Sequence, residues 1–441
     1  MSYNKNNIVN TDRGRVIMYI DMNNYFASCE QQLNPRLRGR PIGVCPYVND
    51  NAVIIAPSRE AKKAGVTTGM RFDKAKQLCP DIEMVACRPV KYRKFHVEIM
   101  NILRSYCEDV IPKSIDEAVM NLTSYKYLYK DVHALAKEIK TLISGQVGEY
   151  ITCSIGISQN VFLAKLATEI EKPDGLIEIT PENLENYLLR MKLTDLPGIA
   201  SASQKRLNLA GIYRPVDMLN ASESLLRKAF GGVVGNYWYH RLHFTEVDLY
   251  TAEYRRMSAM RTLSAQTRSS KAALMGMLVS LCTKLEQRMV KSDIFCTELS
   301  FYADYYDNTS WKTTIKIQEP LQDGIDMLHY IQQRIRVHEA QSASVNIFTN
   351  KMRSMGVLVG DFISASHLQY SLFDNKIQKD LLRKTVYNIK DKYGKDIVRK
   401  AAETVEGTHL KDAIGFGSVK DLYDNASPGI FEKGFNKYLL E

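Results

Sequence analysis

Three acidic residues stand where acids are costly. Asp21 ends the apolar run VIMYI (Val16 to Ile20), and Asp116 and Glu117 interrupt SIDEAVM (Ser114 to Met120). Taking a carboxylate out of water costs several kcal/mol unless it is paired or holds a metal. Two outcomes are open on these residues alone. Either one acid is salt-bridged and the other two are solvated at a strand end, or the three share a site. Adjacent residues of a regular strand point to opposite faces, so Asp116 and Glu117 can share a site only at a turn or bulge. A pair of Mg²⁺ ions needs clustered oxygen ligands of this kind and tolerates a backbone carbonyl among them.

The elements that must hold these acids are short and mixed. VIMYI reads as a strand, as do PIGVC (Pro41 to Cys45) and AVIIA (Ala52 to Ala56), all bounded by turn residues. Between Lys91 and Val110 the residues Phe95, Ile99, Ile102, Leu103 and Tyr106 recur at helical spacing. Around Ile151 the pattern alternates, with Ile151, Cys153, Ile155 and Ile157 facing one way and Thr152, Ser154, Gly156 and Ser158 the other. That predicts a half-covered strand. Ser158 or Asn160 then caps a helix bearing Phe162, Leu163 and Leu166, and EKPDG (Glu171 to Gly175) closes the unit with a turn. From Pro181 to about Val247 the reading is helical with short loops. DLYTAEYRR (Asp248 to Arg256) reads as a linker, followed by an α+β module ending near Phe362. The last segment is polar, with one helix predicted from Lys376 to Tyr393.

At about 100–200 residues per domain, 441 residues allow two to four domains. With 45% hydrophobic and 24% charged residues the composition is that of an ordinary globular protein. The net charge of +10 suits a polyanionic partner but is spread thinly. The eight cysteines include no CxxC pair, which excludes a zinc ribbon and does not read as a disulfide framework. Reduced core cysteines, a polar N-terminus without a secretory pattern, and no window near 18 consecutive apolar residues point to a cytoplasmic protein that does not enter a membrane.

Four motifs, in order, carry a resemblance. DMNNYFASCE (Asp21 to Glu30), APSREAKKAGVTTGM (Ala56 to Met70), SIDEA (Ser114 to Ala118) and SQNVFLAKLAT with KPDG (Ser158 to Gly175) resemble the motifs of Y-family, translesion DNA polymerases. The fingers segment is closer to the bacterial UmuC-like branch than to the archaeal members. The similarity in order and spacing spans about Arg15 to Phe362.

The resemblance implies an α+β multidomain fold, a right-handed polymerase. Its ferredoxin-like palm would cover 14–25 and 91–178, with small fingers at 26–90 and a helical thumb at 179–247. A linker (248–257), an α+β little finger (258–363) and a C-terminal tail (364–441) would complete it. It implies a lesion-bypassing DNA polymerase that adds dNTPs to the 3′-OH of primer-template DNA. Asp21, Asp116 and Glu117 would be catalytic ligands of two Mg²⁺ ions, with Met22 lending its carbonyl. Asn23, Asn24, Tyr25, Phe26, Ser58, Arg59, Lys62 and Lys165 would surround the nucleotide, with Phe26 excluding a ribose 2′-OH. Arg59 stands where many relatives carry Tyr or a small residue.

LTDLPGIASASQKRLNLAGI (Leu193 to Ile212) resembles a helix–hairpin–helix, so Gly198 and Ala200 are candidate DNA-backbone contacts, with Ala200 where the usual pattern has a second Gly. HLQYSLFDNK (His367 to Lys376) resembles a bacterial sliding-clamp ligand through Gln369, Leu372 and Phe373. A monomer on DNA is expected. The competing readings are a nucleotidyl cyclase, which has no duplex to grip, and a non-catalytic DNA- or clamp-binding relative, which has no use for the three acids.

Overall fold

The run IMYIDM is apolar except for its Asp, and it forms the middle strand of the first sheet. The computed structural model describes residues 14–49, 51–249, 255–341, 346–369, 375–394 and 397–398. The described chain divides into two compact units, one within 14–249 and one within 255–398.

The first unit begins with β1 (Ile17–Met22), α1 (Tyr25–Leu33), β2 (Ile42–Cys45), β3 (Ala56–Pro57), α2 (Arg59–Lys63), α3 (Phe72–Leu78) and β4 (Glu83–Ala86). It continues with α4 (Pro89–Arg104), β5 (Val110–Pro112), β6 (Glu117–Asn121), α5 (Val132–Leu142), β7 (Cys153–Ser158), α6 (Val161–Ile170) and β8 (Leu176–Glu178). Five short helices follow: α7 (Leu184–Leu188), α8 (Ser201–Leu209), α9 (Pro215–Leu219), α10 (Glu223–Phe230) and α11 (Val233–Leu242).

The main sheet has the order β5-β6-β1-β7-β8, with β1 antiparallel to both β6 and β7. Strands β6 and β7 therefore run parallel with β1 between them. One sheet face (Met18, Ile20, Ala118, Met120, Ile155, Ile157) packs on Ile99 and Leu103 of α4 and Leu135 and Ile139 of α5. The other face meets α6, where Ile17, Tyr19 and Val119 touch Val161 and Ala164. The expectation of a half-covered β7 is thereby corrected, since all six of its residues are buried. Gly156 is the reason. A Cβ there would lie 2.0 Å from the Ala164 carbonyl oxygen, so only glycine lets α6 close on the strand.

AVIIA does not form the expected strand. Ile54 exchanges backbone hydrogen bonds with the 69–70 turn, and Val53 makes a single bridge to Arg71. Only Ala56 and Pro57 pair with β2, in a small sheet of order β3-β2-β4. The short helices share a core of Leu184, Leu188, Leu207, Leu226, Trp238 and Leu242. The expected linker also begins later than Asp248. Leu249 is 6% exposed, in a cluster with Ile17, Tyr19 and Val119, so 248–249 belong to the first unit.

The second unit comprises β9 (Arg256–Thr262), α12 (Ala265–Arg268), α13 (Lys271–Lys291), β10 (Ile294–Tyr305), β11 (Ser310–Leu321), α14 (Gly324–Gln341), β12 (Met352–Ser364) and α15 (Lys376–Tyr393). Its antiparallel sheet has the order β11-β10-β12-β9. Leu274, Leu278, Leu281 and Leu285 of α13 recur at helical spacing and cover Leu299, Phe301, Met355 and Val357 of the sheet. The helix predicted from Lys376 to Tyr393 is α15.

Candidate active site

The β1–β6 register sets Asp21 directly opposite Glu117. Directly opposed residues of an antiparallel pair share one face, so these two acids are neighbours by strand geometry alone. Asp116 lies one residue before β6, in the β5–β6 turn, where its carbonyl accepts from Met22 N at 2.8 Å. The turn meets the condition that two adjacent acids needed. The Asp116 carboxylate accepts from the Ser114 hydroxyl.

Helix α6 and the turn after it add cations. Asn160 caps it, its Oδ1 accepting from Leu163 N at 2.8 Å, and Lys165 and Glu169 follow one turn apart. Lys165 Nζ donates to Asp21, to Glu117 Oε1 at 2.7 Å and contacts Glu169 Oε1 at 2.9 Å. Lys172 Nζ donates to Asp21 Oδ2 and to Glu169 Oε1, both at 2.8 Å. Tyr19 OH donates to Glu117 Oε2 at 2.9 Å.

The electrostatics follow. Burial raises the Asp116 carboxyl above its ordinary value, the Ser114 hydrogen bond and a backbone hydrogen bond oppose this, and the neighbouring Glu117 and Asp21 add to it. Burial alone would lower Lys165, but Asp21, Glu117 and Glu169 together hold it well above an ordinary lysine. Burial pushes Lys62 down, and the nearby Lys172 reinforces this.

These residues line one cleft of ≈ 710 Å³. The acids lie in it with Arg59, Lys62, Lys63, Lys165 and Lys172. Lys62 Nζ donates to Asn24, whose left-handed backbone (φ 48°) turns the chain from β1 into α1. Phe26, 4% exposed, forms part of the wall and stacks on Tyr92 with centroids 4.8 Å apart and planes 16° apart. Ala56 lines the cleft, and Arg59 does so without an ion pair among the described residues.

Three predicted nucleotide contacts have other employment. Ser58 does not line the cleft. It is fully buried, capping α2 at Ala61 N and accepting from Ile42 N, because a β-to-helix junction needs that oxygen. Asn23 and Tyr25 border the cleft, but their side-chain polar groups are engaged elsewhere. The Asn23 amide bonds Thr152 and Ser154, and Tyr25 OH donates to Tyr92 O at 2.7 Å.

Gly198 has φ +95°, whereas Ala200 is extended at φ −101°, ψ 176°. No second glycine is required there. Gln369 is exposed, and Leu372 and Phe373 lie outside the described residues.

Lys172, Glu169 and Tyr19 belong to the site but were not singled out from sequence. The available signals were the Lys165–Glu169 spacing of four and the place of Lys172 in KPDG.

Among the described residues no group of three or more His, Cys, Asp or Glu converges as metal donors. Lys165 instead bridges Asp21 and Glu117, and Ser114 holds the Asp116 carboxylate. The donor chemistry nonetheless fits a divalent cation. Three buried or half-buried carboxylates crowd together, and two ammonium groups supply the positive charge that such a cluster requires.

Two models of one family match the chain. The impB/mucB/samB family matches residues 20–169 and its C-terminal domain matches residues 255–372, together more than half of the sequence. The chain is 28% identical over 313 residues to DNA polymerase IV of Desulfotalea psychrophila, covering 71% of this chain and 83% of that protein. It is 27% identical over 403 residues to DNA polymerase IV of Bacillus velezensis, covering 88% and 93%. A Y-family DNA polymerase chimera of known structure aligns over 79% of this chain and 99% of its own, with a TM-score of 0.65 and 24% identity, a likeness of fold.

Proposed function

The chain belongs to the impB/mucB/samB family, and on that premise we propose that it is a template-directed, lesion-bypassing DNA polymerase adding dNTPs to a primer 3′-OH. One observation carries the reading. A single cleft brings the acids of β1 and β6 together with five cations and an aromatic wall. That is the arrangement a triphosphate and a reacting 3′-OH need.

The domain roles run in chain order. The five-stranded sheet would be the palm (14–25 and 91–178), residues 26–90 the fingers and 179–247 the thumb. Residues 258–363 would be the little finger. Two Mg²⁺ ions, held by Asp21, Asp116, Glu117 and the Met22 carbonyl, would supply charge stabilisation to the attacking and leaving oxygens. The other duties fall to the chain's own groups. Arg59, Lys62, Lys165 and Lys172 complement the triphosphate charge, and Glu169 accepts from both active-site lysines, limiting where they can move. Phe26, braced by Tyr92, is a rigid side wall suited to rejecting a 2′-OH.

The turn at Gly198 and the start of α8 offer backbone N–H groups to DNA phosphate without reading sequence. Gln369, Leu372 and Phe373 form a sliding-clamp anchor. The protein acts as a monomer on DNA, and among the described residues no helix is long and apolar enough to cross a membrane.

The test is primer extension with Mg²⁺ on intact and lesion-bearing templates, comparing wild type with Asp116→Asn and Glu117→Gln. Both variants should lose extension by orders of magnitude and keep primer-template affinity, which comes mostly from phosphate contacts elsewhere. If both keep more than about a tenth of the rate, a barrier change under about 1.4 kcal/mol, the assignment fails.

A further inference from the structure

The chain between α11 and residue 249 touches the helix that bears Lys165, the strands that bear Asp21 and Glu117, and the turn that carries Asp116. Asn160, the cap of α6, donates through Nδ2 to the carbonyls of Arg241 at 2.8 Å and Thr245 at 3.2 Å. Glu246, 8% exposed, accepts from Val161 N at 2.7 Å, at the first turn of the helix that bears Lys165. Asp248 holds Arg241 through bonds of 2.7 and 2.6 Å. Leu249 packs on Ile17 and Tyr19 of the Asp21 strand and on Val119 of the Glu117 strand. Lys113 then donates from Nζ to the carbonyls of Asp248 at 2.8 Å and Leu249 at 2.9 Å.

Lys113 opens the turn that carries Ser114 and Asp116. Its ammonium is engaged by two main-chain oxygens, and charge-assisted bonds of this kind fix geometry more firmly than neutral ones. The Asp116 turn has other restraints on its core side. Its carbonyl holds Met22 N, its carboxylate faces Ser114, backbone bonds from 113 and 114 reach Glu117 O, and the carbonyl of buried Ile115 bonds His96 Nδ1 at 2.8 Å.

We propose that Lys113 and Glu246 are positioning residues, which lock segment 246–249 onto the Asp116 turn and the start of α6 and so keep Asp116 and Lys165 aligned with Asp21. This rests on the reading of those three residues as site residues. On this account, disturbance of the segment reaches the catalytic turn through one lysine.

The experiment uses the full chain and two readouts. Lys113→Met retains most of the aliphatic stem and removes the ammonium. Hydrogen exchange should rise about tenfold in peptides covering both 244–249 and 114–118, because both lose one shared restraint. The Mn²⁺ concentration at half-maximal primer extension should rise about threefold or more while the dNTP KM stays near wild type, since geometry at the acids is what changes. Lys113→Arg should restore both readouts. A folded Lys113→Met in which only 244–249 loosens, with 114–118 and the Mn²⁺ midpoint unchanged, overturns the proposal. If Lys113→Met does not fold, Glu246→Gln takes its place, and wild-type exchange at both 244–249 and 161–165 overturns it. If the wild type itself extends no primer, the polymerase reading fails, while the exchange comparison still decides the coupling.

Discussion

Gly156→Ala tests whether the fit of α6 on β7 sets the active site. The new Cβ would lie 2.0 Å from Ala164 O, 2.8 Å from Ala167 Cβ and 2.9 Å from Thr168 N. Two of these neighbours are backbone atoms, so no side-chain rotation relieves the clash. Reaching ordinary contact at 3.4 Å requires the helix to retreat by about 1.4 Å. Overpacking of this kind costs about 1–3 kcal/mol or more. In a unit of this size that lowers Tm by about 2–12 °C. The same retreat stretches the 2.7 Å bond from Lys165 to Glu117 beyond hydrogen-bond range. Misplacement by about 1 Å near a reacting centre costs about 10²-fold in rate, so kcat should fall that far in the folded fraction. Gly145→Ala is the control, because nothing lies within 4 Å of its Cβ position. Thermal unfolding followed by circular dichroism and single-turnover primer extension measure the two effects. Gly156→Ala matching Gly145→Ala in both would refute the argument.

Other outcomes follow from the same geometry. Phe26→Ala should admit ribonucleotides, seen as a rise in their kcat/KM, and should also destabilise by about 3–5 kcal/mol because the ring is buried against Tyr92; unchanged sugar selectivity in the folded variant would return Phe26 to the core. Burial pushes the His96 imidazole down to about 4, so between pH 6.5 and 4 the unfolded chain binds a proton that the folded chain refuses. Stability should therefore be constant above about pH 6.5 and fall by about 3 kcal/mol towards pH 4 from this group. Urea titrations of wild type and His96→Gln check this, and parallel pH profiles would contradict it. Replacing Leu372 and Phe373 by Ala should abolish clamp-stimulated synthesis and leave basal extension unchanged, and clamp binding that survives in calorimetry would place the tether elsewhere. Those two side chains, fully buried, would contribute about 3–6 kcal/mol before ordering costs, which suits exchangeable recruitment.

The three acids, the order of the motifs and most elements are legible in the chain's residues alone. VIMYI follows from an unbroken apolar run and the helix from Lys91 from apolar periodicity, local properties that chain neighbours decide. The turn condition on Asp116 and Glu117 was also legible, because it needs only the alternation of a strand. Tertiary structure decided the rest. The full burial of β7 depended on α6 landing over Gly156, and AVIIA lost its strand to the 69–71 turn, choices that no local pattern records. Ser58 carries a nucleotide-site motif yet faces inward as a helix cap, since one oxygen serves whichever backbone groups the fold brings to it. Glu169 and Lys113 are ordinary charged residues in the sequence, and Lys172 stands out there only as a member of KPDG. Only the fold sets Lys172 against Asp21, 151 positions away, and Lys113 beneath Asp248, 135 positions away, because partners at that separation are fixed by strand register and helix packing rather than by anything in their own neighbourhoods.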